Sequence, residues 1–339
     1  MRVILVHLIC LVCLYSGLHG LTHVVSLAVV PQHKNLDTLH SKATIFYGPN
    51  KMVAAGIADL GHSMRPKMIF LGASNVLSGF RPTDLETLFP QYEIHNLALG
   101  NHNITRFLLE YGVIQRTLKK ELLEKSVIVM GIWYGAFTEN DGPNKKPLLN
   151  VEKIFLDSGL YVRRDGTIGP LFPPEWMPFI VGVLRPYYFA EYLVEVAQFK
   201  NRDFGLNFVQ HDVADELIRP KMIDYFNTWI GRTDGKLAEE QFQELVALRE
   251  LVDQSSGDLV IVDLPLPLWH SERSDYYKDY QNRKEKYLTS VTGSPRIRYI
   301  NLQEDPNLTK AEAYYDGTHP NPSGALLWSK ALRQSWKSY

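Results

Sequence analysis

The sequence predicts an α/β protein: a doubly wound, mostly parallel five-stranded sheet with a helical insertion and an N-terminal membrane helix. Three observations carry that expectation. Five short apolar runs alternate with stretches of helical period. A segment at about 139–235 breaks the rhythm without ending it. The first thirty residues are almost uncharged. The remaining composition is that of a globular chain: 339 residues, 45% hydrophobic and 22% charged, with 36 Lys+Arg against 37 Asp+Glu. A net charge of −1 supplies no excess of cations to neutralise phosphates, which argues against nucleic acid as a partner.

In residues 3–30 only His7, His19 and His23 interrupt the apolar run. As a helix it would be about 42 Å long at ~1.5 Å per residue, enough to cross a ~30 Å hydrocarbon core with tilt. Arg2 and the amino terminus precede it, which favours an N-terminus in the cytoplasm and a bulk outside. The competing reading is a cleaved signal peptide with Ser26 and Ala28 at its small-x-small site. The run is long for such a segment, so an uncleaved anchor is expected. Cys10 and Cys13 are the chain's two cysteines and read as packing residues of this helix, so no disulfide or thiolate metal site is expected beyond it. Residues 31–66 read as linker and N-terminal extension, and 67–339 as the α/β domain.

The domain opens with a buried strand at 67–74 (KMIFLGAS). A short helix at 81–89 and a second strand at 93–99 follow. Asn103 can cap a helix reaching about Lys120, with Ile104, Phe107, Leu108, Tyr111, Ile114 and Leu118 on its apolar stripe. The third strand is 126–134 (SVIVMGIWY). Within the insertion, 177–199 is apolar, but Arg185, Glu191 and Glu195 divide it. It reads as an amphipathic layer, resting on a membrane surface or packed on the domain, rather than as a span. The alternation resumes with a helix at 236–255, a strand at 258–267, a polar helix at 274–290 and a fifth strand at 297–303. Pro322 suits the first position of a last helix.

Sheets of this kind bind ligands beyond the carboxyl ends of their strands. The first strand ends in Gly72-Ala73-Ser74-Asn75, where a hydroxyl can stand above the sheet at a helix N-terminus. The second ends in Leu99-Gly100-Asn101-His102-Asn103, where Gly100 admits close approach to the backbone. The last loop is Asp316-Gly317-Thr318-His319-Pro320-Asn321-Pro322. An Asp three residues before a His can fix the imidazole tautomer and leave the other ring nitrogen as a base. A serine hydroxyl needs such a base to become a nucleophile. Each feature alone also reads as a cap or a turn.

Taken together, IFLGASN, LALGNHN and DGTHPNPSGA resemble the SGNH, or GDSL-type, hydrolases. The resemblance covers roughly 67–138 and 236–336. It implies the flavodoxin-like SGNH fold, with Ser74 as nucleophile, His319 as base and Asp316 as its orienting partner. It also implies an oxyanion hole from the backbone N–H groups of Ser74 and Gly100. The family's Asn after the third strand is missing: Trp133 stands in its place, and Asn140 reaches the site only if its loop folds back. Asn75, Asn103, Trp133 and Trp269 are the candidate substrate-binding residues. Trp269, Tyr276 and Tyr277 would suit stacking on sugar rings, and serve equally well as core or rim aromatics. The anchor, the insertion and PLPLWHSERSDYY at 265–277 are similar in layout to anchored envelope acyltransferases, namely the D-alanine transfer protein of teichoic acid modification and exopolysaccharide acetyltransferases.

The expected function is therefore a membrane-anchored serine esterase or O-acyltransferase whose catalytic domain lies outside the cytoplasm, or is secreted if the leader is cleaved. Its expected partners are the membrane, an acylated polysaccharide or envelope glycan, and other envelope acyl-transfer or export components. No metal or organic cofactor is implied. The alternatives are a non-catalytic glycan-binding or assembly component on the same fold, and a lipase or thioesterase that meets lipid through 177–199.

Overall fold

The computed structural model describes residues 2–29, 49–100, 102–139, 151–198, 219–230 and 234–337. Five strands form one parallel sheet: β1 (Lys67–Leu71), β2 (Glu93–Asn96), β3 (Val127–Ile132), β6 (Asp258–Asp263) and β7 (Ile297–Asn301), in the order β2-β1-β3-β6-β7. Every residue of β1 and β3 is buried, as expected for strands covered by helices on both faces. From β1 the chain steps to β2 on one side, then returns to β3 on the other. The order thus reverses between β1 and β3, and that reversal opens a crevice at their carboxyl ends.

Apart from single turns at Lys120–Leu123 and Leu268–Ser271, the helices of the described residues in chain order are α1 (Arg2–Val29), α2 (Pro49–Asp59), α3 (Ser74–Gly79), α4 (Pro82–Leu88), α5 (Ile104–Thr117), α6 (Val151–Asp157), α7 (Met177–Gln198), α8 (Arg219–Ile230), α9 (Glu239–Asp253), α10 (Asp275–Val291) and α11 (Pro322–Lys337). Helix α9 packs on α5 and α10, while α11 packs on α3 and α4. The five expected strands and the helices between them are thus present, shifted by a few residues at their ends. Pro322 opens α11 as expected.

Three regions differ from expectation. In the segment read as linker, α2 and the turn after it bury Ala54, Ala55, Ile57 and Leu60 in the core; its residues 31–48 lie outside the described ones. In the insertion, β4 (Tyr161–Arg164) and β5 (Thr167–Pro170) pair antiparallel. Their turn places Asp165 at φ 49° and Gly166 at φ 77°, the positive-φ pair that a tight two-residue hairpin needs. Asn103 does stand just before α5, but its side chain does not cap it. Its Nδ2 donates to the Thr138 carbonyl at 3.1 Å. The Thr105 N–H instead donates to Gln241 Oε1 on α9 at 3.1 Å.

Candidate active site

Ser74 is the first residue of α3, two positions after Gly72 at the end of β1. Its own N–H is among those at a helix start that have no intrahelical acceptor. Two glycines let α3 settle this low on the sheet. A Cβ on Gly72 would stand 2.1 Å from Val76 Cγ2, and one on Gly131 of β3 2.3 Å from the same methyl. Val76 is therefore wedged between β1 and β3, and its position fixes the height of Ser74. On the open side is Gly100, where a Cβ would lie 3.9 Å from that of Ser74. The Ala98–Leu99 peptide just upstream is held by the Leu99 N–H, which donates to the Gly72 carbonyl at 3.0 Å.

The Asp316–His319 loop is clamped at its base. Tyr315 N–H donates to the His319 carbonyl at 2.9 Å, and Asn321 N–H to the Ala313 carbonyl at 2.9 Å. Asn321 Oδ1 then accepts from Gly324 N–H at 3.0 Å at the start of α11. Gly324 is required there, because a Cβ would meet the Ala313 carbonyl oxygen at 2.1 Å. Within the loop, Asp316 Oδ1 accepts from the backbone N–H groups of Thr318 (2.7 Å) and His319 (2.8 Å). Asp316 Oδ2 lies 2.7 Å from His319 Nδ1. Burial would raise the Asp316 pKa, but the adjacent His319 ring and these hydrogen bonds outweigh it and pull it down to about 2.

His319 Nε2 lies 2.8 Å from Ser74 Oγ, across 245 positions of sequence. An ionised carboxylate can only accept, so the Asp316 contact assigns the proton to Nδ1. In the neutral ring Nε2 then bears a lone pair, and the Ser74 hydroxyl donates to it. Ser74 is half-buried and His319 is 8% exposed, so a short hydrogen-bonded chain of Asp, His and Ser reaches solvent at its serine end. Such a chain can pass the hydroxyl proton to the imidazole as Oγ attacks an electrophile.

The other expected residues are placed as follows. Asn75 is buried, and its Oδ1 accepts from the Val76 N–H at 3.0 Å. Asn103 is buried on the Thr138 carbonyl, as described above. Trp133 is buried against Tyr134 and Phe226. Trp269 is buried beside Ile223, with the Arg219 guanidinium 5.5 Å from its ring. Asn140 lies outside the described residues. No cluster of three or more His, Cys, Asp or Glu suited to a metal occurs among the described residues.

Two side-chain pairs near the site were not foreseen. Tyr134 Oη and His270 Nε2 are 2.6 Å apart in the interior, and a Cβ on Gly317 would come within 2.4 Å of His270 Nδ1. His270 thus props the Asp316 loop from beneath. Burial lowers its pKa to about 4, although the Gly317 backbone and the Asp316 carboxylate pull the other way. In the second pair, His102 Nε2 lies 2.9 Å from Glu110 Oε1, and its Nδ1 lies 3.1 Å from the Gly100 carbonyl oxygen. In the sequence, His270 stands out only as a histidine without metal-ligand spacing, and His102 as a turn residue.

No family model matches the chain, and no curated protein matches it. Among solved structures it is similar to a candidate platelet activating factor from Streptococcus pneumonia, at 12% identity and a TM-score of 0.43, covering 86% of this chain and 92% of that one. It is also similar to a GDSL-like lipase from Bacteroides thetaiotaomicron, at 10% identity and a TM-score of 0.40, covering 85% and 97%.

Proposed function

We propose that the chain is a membrane-anchored serine acyl hydrolase or acyltransferase acting on O-acyl groups of cell-envelope or exported polysaccharide. One observation carries the chemistry: Ser74 Oγ, His319 and Asp316 are linked at 2.8 and 2.7 Å at the carboxyl end of the sheet. His319 Nε2 takes the Ser74 proton as Oγ bonds to the acyl carbonyl carbon. The N–H groups of Ser74 and Gly100 hold the oxyanion. The imidazolium then returns its proton to the leaving alcohol, and the acyl group stays on Oγ. Water or a sugar hydroxyl, deprotonated by the same nitrogen, releases it.

Anchoring is supported by α1, whose residues 2–22 have a mean hydropathy of 2.0 and leave their large apolar side chains exposed. Helix α1 also meets α7, where His19 Nε2 approaches the Gly182 carbonyl at 3.3 Å and Tyr15 bonds the Val183 carbonyl. Trp176, Phe179, Val183 and Tyr187 stay exposed beside that contact, which suits an interfacial helix lying against the bilayer. The choice of a glycan substrate rests on the sequence resemblance alone.

The test is Ser74→Ala. The wild type should hydrolyse a chromogenic acetyl ester and be labelled by a fluorophosphonate; the variant should do neither. A wild-type protein that is neither labelled nor active on acyl esters refutes the proposal. Following a labelled acyl group in the presence of a glycan acceptor separates transfer from hydrolysis.

A further inference from the structure

His102 and Glu110 are both fully buried, and neither belongs to the hydrogen-bonded chain of Ser74. The His102 ring is faced at each nitrogen by an oxygen: Nδ1 by the Gly100 carbonyl at 3.1 Å, Nε2 by Glu110 Oε1 at 2.9 Å. The ring stacks on Phe107 at 5.9 Å and 19°, so it cannot turn away freely. A carbonyl oxygen never donates. The bond to Gly100 therefore requires a proton on Nδ1. Nε2 then either carries a second proton, donated to an ionised Glu110, or accepts one from the neutral acid. In both cases the Nδ1 proton points at the Gly100 carbonyl. Arg106, one turn earlier on α5, interacts electrostatically with Glu110.

Gly100 is where such a clamp matters. A glycine has the widest backbone freedom of any residue, and this one is the neighbour of Ser74. The Leu99 N–H bond to Gly72 fixes the Ala98–Leu99 peptide, and the His102 bond fixes the Gly100 carbonyl; the peptide that carries the Gly100 N–H lies between these two anchors. We propose that His102 and Glu110 are positioning residues, which hold the Gly100 backbone in the orientation that presents its N–H to the oxyanion. This rests on the acyl-transfer reading above.

The test exploits the shapes of two amides. In Glu110→Gln the new amide donates to Nε2 and leaves the Nδ1 proton on Gly100. On that background, His102→Asn keeps a donor near the Nδ1 position but loses residue 110. His102→Gln keeps the contact to residue 110 but loses Gly100. We expect Glu110→Gln to keep kcat within threefold. The double variant with Asn should stay within about tenfold. The one with Gln should fall thirtyfold or more, with KM changed less than threefold. Thermal midpoints should run in the opposite order, because the Gln variant keeps the inner bond. Equal kcat for the two doubles, a loss seen in KM, or kcat that follows the midpoints overturns the proposal. If neither double folds, His102→Gln in the wild-type background decides: a loss of thirtyfold or more in kcat with KM changed less than threefold supports the proposal, and any smaller loss in kcat overturns it. A wild type without esterase activity refutes the acyl-transfer reading itself. The Gly100 bond can still be read then, as a protected Nδ1 proton in histidine-labelled protein.

Discussion

Asp316→Asn should be the most informative single change, because the loop dictates which way the new amide must lie. Asp316 Oδ1 receives two backbone N–H groups at 2.7 and 2.8 Å. An asparagine must put its only oxygen there, since its NH2 would otherwise face two donors. The NH2 then occupies the Oδ2 position, 2.7 Å from His319 Nδ1. A donor at that place needs an acceptor opposite it, so Nδ1 must lose its proton and Nε2 must gain one. Nε2 then donates toward Ser74 Oγ and can no longer accept. The fold is kept while the base is lost. The same exchange in Ser–His–Asp hydrolases lowers kcat about 10⁴-fold, or ~5.5 kcal/mol of barrier. The measurement is kcat on an acetyl ester beside the rate of fluorophosphonate labelling, with circular dichroism to show a native fold. The substitution also removes a pH dependence of stability. Asp316 titrates near 2 when folded against 3.8 when free. Its contribution, up to about 2 kcal/mol, is therefore present above pH 4 and lost as pH falls toward 2. A folded Asp316→Asn protein that keeps kcat within tenfold would show that the carboxylate does not set the tautomer.

His270 gives a second pH effect of definite sign. The unfolded chain takes up its proton near pH 6.5, whereas the folded ring does so only near 4. Stability should therefore fall by up to about 3 kcal/mol as pH drops from 6.5 to 4. Urea midpoints should show it, and His270→Gln should flatten that part of the curve; an unchanged slope would refute it. Gly131→Ala pushes a methyl into Val76 Cγ2 at 2.3 Å, so it should cost about 1–3 kcal/mol and lower kcat by lifting Ser74. Stability unchanged within 0.5 kcal/mol, a roughly neutral effect, would mean that α3 is not wedged. Removal of residues 2–29 should release the protein from membranes under alkaline carbonate, and retention in the pellet would point to α7 as an independent anchor.

How far the sequence reached depended on whether the signal was local. The strands of the sheet were legible because each is short, rich in apolar residues and set between helical stretches, most clearly at β1, an apolar run ending in Gly72-Ala73. The loop from Asp316 to His319 was legible for the same reason: Asp, His and the flanking prolines lie within seven positions of one another. The β4–β5 hairpin was missed although its Asp165-Gly166 dipeptide is a recognised turn signal, because its strands alternate too briefly to stand out beside the aromatic tracts. Helix α2 was missed for a different reason. Its Ala54, Ala55, Ile57 and Ala58 are small, and they become core only because α6 and α7 close over them. The Asn103 side chain went elsewhere because a remote residue, Gln241, met the α5 N-terminus first.

The position after β3 shows why a missing motif residue is not the same as an empty place. An Asn expected there on resemblance is replaced by Trp133 and Tyr134, and both are buried. Neither side chain is open to a substrate in this arrangement. Tyr134 reaches His270 at 2.6 Å, and His270 lies directly under Gly317. The end of β3 is therefore joined, through two interior side chains, to the loop that carries Asp316 and His319. An asparagine in this place would offer a polar hydrogen to a ligand, whereas the aromatic pair offers rigidity to the base. On the proposed reading, with no Asn at position 133, the oxyanion rests on the backbone N–H groups of Ser74 and Gly100, and a backbone donor is only as good as the fixing of its peptide. That is the physical reason to expect the clamp on Gly100 to matter more here than it would beside an additional side-chain donor.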